Sequence, residues 1–389
     1  MSSSMYEQIY EKLREEIRTG HYQVGDRVPS EKELAEAYNV SRITSKKALE
    51  LLADGGIIVR RPGRGSFVAD PASKAEAASA APGKGNARGG MPGARPMIGL
   101  VMTDFSDSYG TGLVYGMEEA SREHDAFLVL RRSFGIPSLE EKAIQSMLEL
   151  GVDGLIIFPA QGEYFNAEIL KLVIDKFPFV LVDRHLKGIS AGSISTDNVS
   201  GAKRGMDYLF ELGHKHIAII TPPPTDTTAV EDRIEGYVQA HAEKGIVVDR
   251  ELWLSVTSTL PNAYTEENKA KDIEKIKRHL LDHPEISAFF AMEYNLALLV
   301  REAARQLSLD VPRDLSIICF DCPDNGSGFS FTHLRQNQEE MGRSAFENVL
   351  QLRDGKTVPH KIALEAELIV GKSTAVLSPS GIEQLSQKE

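Results

Sequence analysis

Apolar residues fall into two rhythms along this chain, separated by a stretch that has neither. In the first seventy residues they recur at helical spacing. Ala48, Leu49, Leu51 and Leu52 share one face of a helix that opens with the polar turn Ser41-Arg42-Ile43-Thr44, where Ser41 can act as the cap. A shorter helix just upstream is announced by Pro29-Ser30-Glu31-Lys32-Glu33-Leu34, in which Ser30 and Glu33 have the S-x-x-E spacing of a capping box. Tyr38-Asn39-Val40 between them is the length of turn that suits a helix-turn-helix. The run Arg60-Arg61-Pro62-Gly63-Arg64-Gly65-Ser66-Phe67-Val68 then predicts a short cationic hairpin.

From residue 97 the rhythm changes. Apolar runs predict strands at 97–102, 126–131, 154–158, 179–182, 217–220, 287–291 and 315–320. Stretches of helical period lie between them, among others at 138–150, 199–212, 229–243 and 294–307. Such alternation predicts an α/β fold with parallel sheets, and two such series predict two lobes with a cleft between them. Residues 71–96, rich in Ala, Gly, Pro and Ser, read as a flexible linker. The expected organisation is a DNA-binding domain at 1–70, this linker, and an effector-binding and dimerisation domain at 97–378.

Composition changes one part of this picture. The 389 residues carry a net charge of −12, which argues against nucleic acid as a partner for the whole surface. Between Ser41 and Ser66, however, Arg42, Lys46, Lys47, Arg60, Arg61 and Arg64 face only Glu50 and Asp54. The positive charge is therefore concentrated on the helix start and hairpin, where DNA would be read. Arg42 is expected to read bases, while Arg61 and Arg64 reach phosphate or the minor groove. Neither a signal-peptide pattern nor a run of about 20 apolar residues occurs, so a cytoplasmic protein without membrane contact is expected. Cys319 and Cys322 form C-x-x-C without further ligands at matching spacing, and His214-Lys215-His216 reads as a helix end. Packing is the expectation for all of these, with no metal and no cofactor.

The first segment resembles the winged-helix domain of GntR-family bacterial regulators. The resemblance runs from Tyr6-x-x-Ile9 through Gly25-Asp26-Arg27-x-Pro29-Ser30-Glu31 and Val40-Ser41-Arg42-x-Thr44 to Gly63-Arg64-Gly65-x-Phe67-Val68. It implies DNA contacts from Lys32, Ser41, Arg42, Thr44, Lys46, Arg61, Gly63 and Arg64. At Ser45-Lys46-Lys47 the family usually has an aliphatic residue and then arginine, so Lys46 keeps the charge but loses the bidentate fork.

Polar residues gather at the predicted strand ends: Asp104, Tyr109, Arg132, Asp183, Arg184, Asp197, Arg233, Glu293 and Asp321. Carboxylates, arginines and aromatic rings together suit a polyol, whose hydroxyls both donate and accept. This half resembles the effector domain of LacI-type repressors, a periplasmic-binding-protein-like fold. The matching residues include Val182-Asp183-Arg184, Ser195-x-Asp197-Asn198, Arg233-x-x-Gly236-Tyr237, Phe320-Asp321 and Leu334-Arg335-Gln336. The resemblance implies that Arg233 and Asp321 clamp sugar hydroxyls from one lobe and the hinge, and adds Gln336 to the site; the two are expected to hold different sides of the cleft. Where many relatives have Asn-Asp, this chain has Glu293-Tyr294.

The pairing of these two resemblances implies a dimeric repressor of sugar-utilisation genes on a palindromic operator, released by a monosaccharide such as L-arabinose. A purine, hexose or glycoside effector, or activation in place of repression, would use the same architecture. An importer's sugar-binding protein would want a signal peptide. An aminotransferase-like domain would want more length and a strand-end lysine for pyridoxal phosphate, a dehydrogenase would want G-x-G-x-x-G after the first strand, and no P-loop, G-x-S-x-G or H-E-x-x-H occurs.

Overall fold

The computed structural model describes residues 5–19, 21–38, 40, 42–54, 57–61, 65–68, 95–160, 166–186, 188–189, 191–223, 227–261, 263–323 and 328–377. The chain divides into two compact units, Met1–Lys84 and Gly85–Glu389. The division falls inside the segment read as a linker, of which 71–94 lies outside the described residues.

In the first unit, α1 (Met5–Arg18), α2 (Glu31–Tyr38) and α3 (Arg42–Asp54) pack beside a small antiparallel sheet. That sheet, in the order β1-β3-β2, comprises β1 (Arg27–Val28), β2 (Ile58–Arg61) and β3 (Gly65–Val68). Ile9, Leu13, Val28, Leu34, Ala48, Leu49, Leu52, Ile58 and Val68 form its core. The capping box is present in both directions. Ser30 N donates to Glu33 Oε2 at 2.7 Å and Glu33 N donates to Ser30 Oγ at 3.3 Å. In the hairpin Arg61 pairs with Gly65 and Val59 with Phe67.

Among the described residues, the second unit contains two six-stranded sheets. One has the order β14-β8-β7-β6-β4-β5, with β4 (Met97–Met102), β5 (Phe127–Arg132), β6 (Gly154–Ile157), β7 (Phe179–Val182), β8 (Gly192–Thr196) and β14 (Lys361–Leu364). The other has the order β10-β9-β11-β12-β13-β15, with β9 (Ile217–Thr221), β10 (Trp253–Ser255), β11 (Ala288–Ala291), β12 (Ser316–Phe320), β13 (Thr332–Arg335) and β15 (Glu367–Ile369). Pairing is parallel throughout the first sheet. In the second it is parallel except at β13–β15, an antiparallel edge that the alternating pattern did not announce. The central strands β6, β7, β9, β11 and β12 are buried at every position, which explains their continuous apolar runs.

Helices α4 (Thr111–Glu123), α5 (Pro137–Leu150), α6 (Ala167–Ile174) and α11 (Gln338–Arg353) belong to the first sheet, making one lobe. Helices α7 (Asn198–Glu211), α8 (Thr228–Lys244), α9 (Glu266–Asp282) and α10 (Tyr294–Gln306) belong to the second. Each lobe is therefore assembled from separated pieces of chain. The backbone crosses between them three times, at 196–198, 335–338 and 364–367. Two crossings are tied directly, since Asp197 N donates to Leu364 O at 2.8 Å.

Glycines let helices approach to backbone contact within each lobe. A Cβ on Gly116 of α4 would lie 1.9 Å from the carbonyl oxygen of Glu339, and one on Gly342 of α11 would lie 2.2 Å from that of Leu113. In the other lobe, a Cβ on Gly236 of α8 would lie 2.2 Å from Val199 O.

Candidate effector site between the lobes

Both lobes present an aspartate immediately after a buried strand. Asp183 follows β7 and Asp321 follows β12, and each takes a left-handed backbone conformation, with φ of 69° and 57°. Outside glycine this region favours Asp and Asn, and strain of this kind gathers at functional sites. Each aspartate turns a carboxylate into the cleft at the carboxyl end of its sheet.

In the first lobe the Tyr109 hydroxyl donates to Asp183 Oδ1, and Arg184 Nε lies 3.4 Å from Asp183 Oδ2. The Arg184 guanidinium rests over the Phe158 ring, 4.9 Å from its centroid, and Nη1 donates to Pro159 O at 3.2 Å. Buried Glu140 accepts from Ala160 N and from Asn166 Nδ2. Burial pushes the Glu140 carboxyl above its ordinary range, and these two hydrogen bonds oppose the shift.

In the second lobe Arg233, in the first turns of α8, is buried and stacks on Phe320, its guanidinium carbon 3.7 Å from the ring centroid. Its Nε donates to Asn198 Oδ1 at 2.8 Å and its Nη1 to Met292 O. Asp321 accepts from Gln336 Nε2 at 2.6 Å and, more weakly, from Gln336 N at 3.3 Å. Gln336 in turn accepts from Thr196 Oγ1 at 2.6 Å. A chain of hydrogen bonds thus runs from the Asp321 carboxylate through two of the three crossings.

Burial dominates the electrostatics. It pushes the Asp321 carboxyl up to about 6, against the pull of Gln336 and Arg233. It also raises Glu293, and it raises the Tyr109 hydroxyl strongly, with Asp183 adding to that shift. Burial lowers Arg233, while Asp321 and Asp183 oppose the loss of its charge. Two cationic groups and three carboxyls thus share one partly desolvated space.

The structure brings together Tyr109, Asp183, Arg184, Arg233, Glu293, Asp321 and Gln336. Asp104, Arg132 and Asp197 make their bonds elsewhere. Arg132 Nη1 donates to Asp104 Oδ1 at 3.0 Å in an exposed pair. Asp197 caps α7 by accepting from Ser200 N and Ser200 Oγ, and the neighbouring Asn198 is the residue that faces Arg233. The D-x-x-S spacing of Asp197 and Ser200 was the available signal for that cap. One geometric expectation is corrected. Arg233 and Asp321 both belong to the second lobe, so they do not grip from opposite sides; Asp183 and Arg184 provide the other wall. Phe158 completes the site together with Asn198 and Phe320, two residues that the resemblance quoted without giving them a role.

The lobes also touch at two edges of the cleft. His185 N donates to Thr228 Oγ1, and that hydroxyl donates to His185 O, both at 3.3 Å. A Cβ on Gly135 would lie 2.6 Å from Pro261 Cγ. Cys319 is buried in β12 and its thiol donates to Asp321 O, with burial driving its pKa far up, as for a packed residue. His214 uses both ring nitrogens, with Ser287 Oγ at 2.9 Å and Ala375 O at 3.1 Å. Among the described residues no group of three or more His, Cys, Asp or Glu is placed to hold a metal, and no helix is long and apolar enough to cross a membrane.

In the reader unit, Lys32 is exposed on α2, with Nζ 3.9 Å from Glu36. Thr44 is half-buried and Lys46 exposed on α3. Arg42 begins α3 and Arg61 ends β2, but their side chains lie outside the described part, as do residues Ser41, Gly63 and Arg64.

Comparison with known proteins finds a match in each unit. Residues 5–68 match the bacterial regulatory proteins of the gntR family, and residues 206–374 match the periplasmic binding protein-like domain. The arabinose metabolism transcriptional repressor of Geobacillus stearothermophilus is 29% identical over 95% of this chain and 97% of its own length. The protein of the same name from Halalkalibacterium halodurans is 26% identical over 95% of each. A LacI family transcriptional regulator from Enterococcus faecium, solved with bound ribose, superposes with a TM-score of 0.61 at 23% identity, over 72% of this chain and all of the other. That likeness concerns the fold.

Proposed function

We propose, from the premise that this chain is a DNA-binding transcription regulator joining a GntR-type winged helix to a periplasmic-binding-protein-like domain, that it represses sugar-utilisation genes in the cytoplasm. A monosaccharide held between the lobes releases it, and L-arabinose is the first candidate, because similar chains of nearly the same length are named for arabinose metabolism. A homodimer would present two winged helices to a palindromic operator.

One observation carries the reading: polar groups from both lobes converge on a cleft whose Asp321 carboxylate is wired into two of the crossings between those lobes. Hydroxyls can accept from the arginines and donate to the carboxylates, so a neutral polyol pairs with both. Coupling to DNA needs only that the sugar prefer one lobe arrangement over another. The linker enters the first lobe at β4, so a change in lobe arrangement displaces the point from which the reader is held.

The test uses the full-length protein. DNA selected by it from a random pool is expected to be palindromic, and L-arabinose is expected to release that DNA in a gel-shift titration. Sugar that binds by calorimetry without changing DNA affinity would overturn release as the mechanism.

A further inference from the structure

The chain's two cysteines bracket the Asp321 turn. Cys319 is buried in β12, Phe320 ends that strand, Asp321 takes its left-handed conformation, and half-buried Cys322 follows. An extended residue followed by a left-handed one is the backbone pattern of a type II turn, whose first and fourth Cα atoms lie within about 7 Å. A disulfide spans about 4.4–6.8 Å between Cα atoms. The side chains agree with this. Cys319 Sγ donates to Asp321 O at 3.1 Å, and that oxygen belongs to the peptide unit that Cys322 completes, so the buried sulfur lies beside the Cys322 backbone. Burial raises the Cys319 thiol and Cys322 adds to the rise, as a second thiol at short range does. The first lobe makes the matching turn without cysteine: Leu181-Val182-Asp183-Arg184 also leaves a buried strand through a left-handed aspartate. The turn therefore does not require the pair.

We infer that Cys319 and Cys322 form a site of reversible oxidation, closing to a disulfide with hydrogen peroxide and opening again with a dithiol. Cys322, the more accessible of the two, attacks the peroxide as its thiolate. The O–O bond breaks, Cys322 becomes a sulfenic acid and the leaving hydroxide departs as water. The Cys319 sulfur then attacks the Cys322 sulfur, and its proton leaves with the displaced hydroxide as a second water. Two thiols lose two electrons in all, and the peroxide is reduced to two waters. Disulfides inside cells are typically transient and redox-sensing, which suits a pair that the fold does not need. The consequence for the sensor rests on the proposed reading of the cleft as a sugar site. Closing the ring removes the S–H that supports the Asp321 carbonyl and ties together the two ends of the turn, displacing the carboxylate that accepts from Gln336. Oxidation thus weakens sugar binding and leaves the reader, a separate unit, untouched.

The test treats the reduced full-length protein with hydrogen peroxide and weighs its peptides before and after reduction. The peptide carrying both cysteines is expected to lose two hydrogens and to regain them with dithiothreitol. Calorimetry then titrates both forms with L-arabinose, D-ribose and D-glucose. A sugar that binds the reduced protein is expected to bind the oxidised one about tenfold more weakly, with recovery on reduction. DNA affinity without sugar is expected to stay the same. Cys322→Ser is expected to bind sugar as wild type does and to be indifferent to peroxide. Both thiols surviving peroxide, or Cys322 gaining oxygens beside a reduced Cys319, overturns the disulfide. A disulfide that leaves sugar affinity unchanged, or an equal loss of affinity in Cys322→Ser, overturns its link to the cleft. If no sugar binds even the reduced protein, the reading of the cleft fails, while the peptide masses still decide the disulfide.

Discussion

Asp321 carries two demands that oppose each other. Ligand recognition wants an ionised acceptor, whereas burial raises its carboxyl to about 6, above the ordinary value of 3.8. Between those values the folded protein binds more protons than the unfolded chain, so this residue's contribution to stability falls as pH rises from about 4 through 6. Asp321→Asn should therefore melt higher than wild type at pH 7 and match it below pH 4. Melting curves at both values check this; a lower melting temperature at pH 7 would mean that the Gln336 and Arg233 contacts outweigh desolvation. The same variant should bind sugar more weakly. It is a cleaner probe than Arg233→Ala, which would also strip partners from Asn198 and the Met292 carbonyl. Residue types at strand ends were legible from sequence because a parallel sheet ends where its polar residues begin. Which of two adjacent polar residues faces the cleft was not: Asp197 and Asn198 were separated by a cap, a local bond that alternation does not encode.

Elements differ in how openly the sequence declares them. The central strands are buried on both faces and stand out as unbroken apolar runs. Strands such as β8 (Gly-Ser-Ile-Ser-Thr) and β13 (Thr-His-Leu-Arg) carry polar side chains that find partners only in the fold, as Thr196 does in Gln336. Helix pairs whose backbones touch are equally silent, because the needed glycines are sparse. Gly342→Ala should destabilise the first lobe by about 1–3 kcal/mol, the typical cost of overpacking, since its methyl would meet the Leu113 carbonyl. Urea denaturation checks this; an unchanged midpoint would mean that α4 and α11 separate freely. In the reader, α3 places Arg42 in its first turn and exposes Lys46. Arg42→Ala should cost roughly 1–3 kcal/mol and blur sequence preference, while Lys46→Ala should weaken all sequences alike and reduce the salt slope by about one. Gel shifts across salt concentrations separate the two, and an Arg42 variant with unaltered preference would misplace the reading helix.

At the scale of the molecule, the question is how binding in a cleft reaches DNA. The Asp321–Gln336–Thr196 chain links the site to two crossings, and Thr196 touches no proposed ligand position. Thr196→Val removes that link while preserving shape. Sugar affinity is expected to change little, but release of operator should need about tenfold more sugar, a loss of coupling in place of binding. Parallel calorimetry and gel-shift titrations measure the two quantities. If both move together, the hydrogen bond supports the site and carries no signal.

The three crossings have a consequence for biogenesis. The first lobe is not finished until α11 and β14 have been made, and the second waits for β15, all from residue 338 onward. Half of the sensor cannot be complete while the other half is still being translated. A ribosome stalled before residue 338 would hold a nascent chain with the glycine face of α4 bare and the β8 edge unpaired, surfaces that invite aggregation. The reader has no such dependence, because its core is drawn entirely from the first 68 residues. A polypeptide truncated by a late nonsense codon would thus retain a DNA-reading head attached to an unfinished sensor, and its fate in the cell would fall to chaperones and proteases, with sugar playing no part.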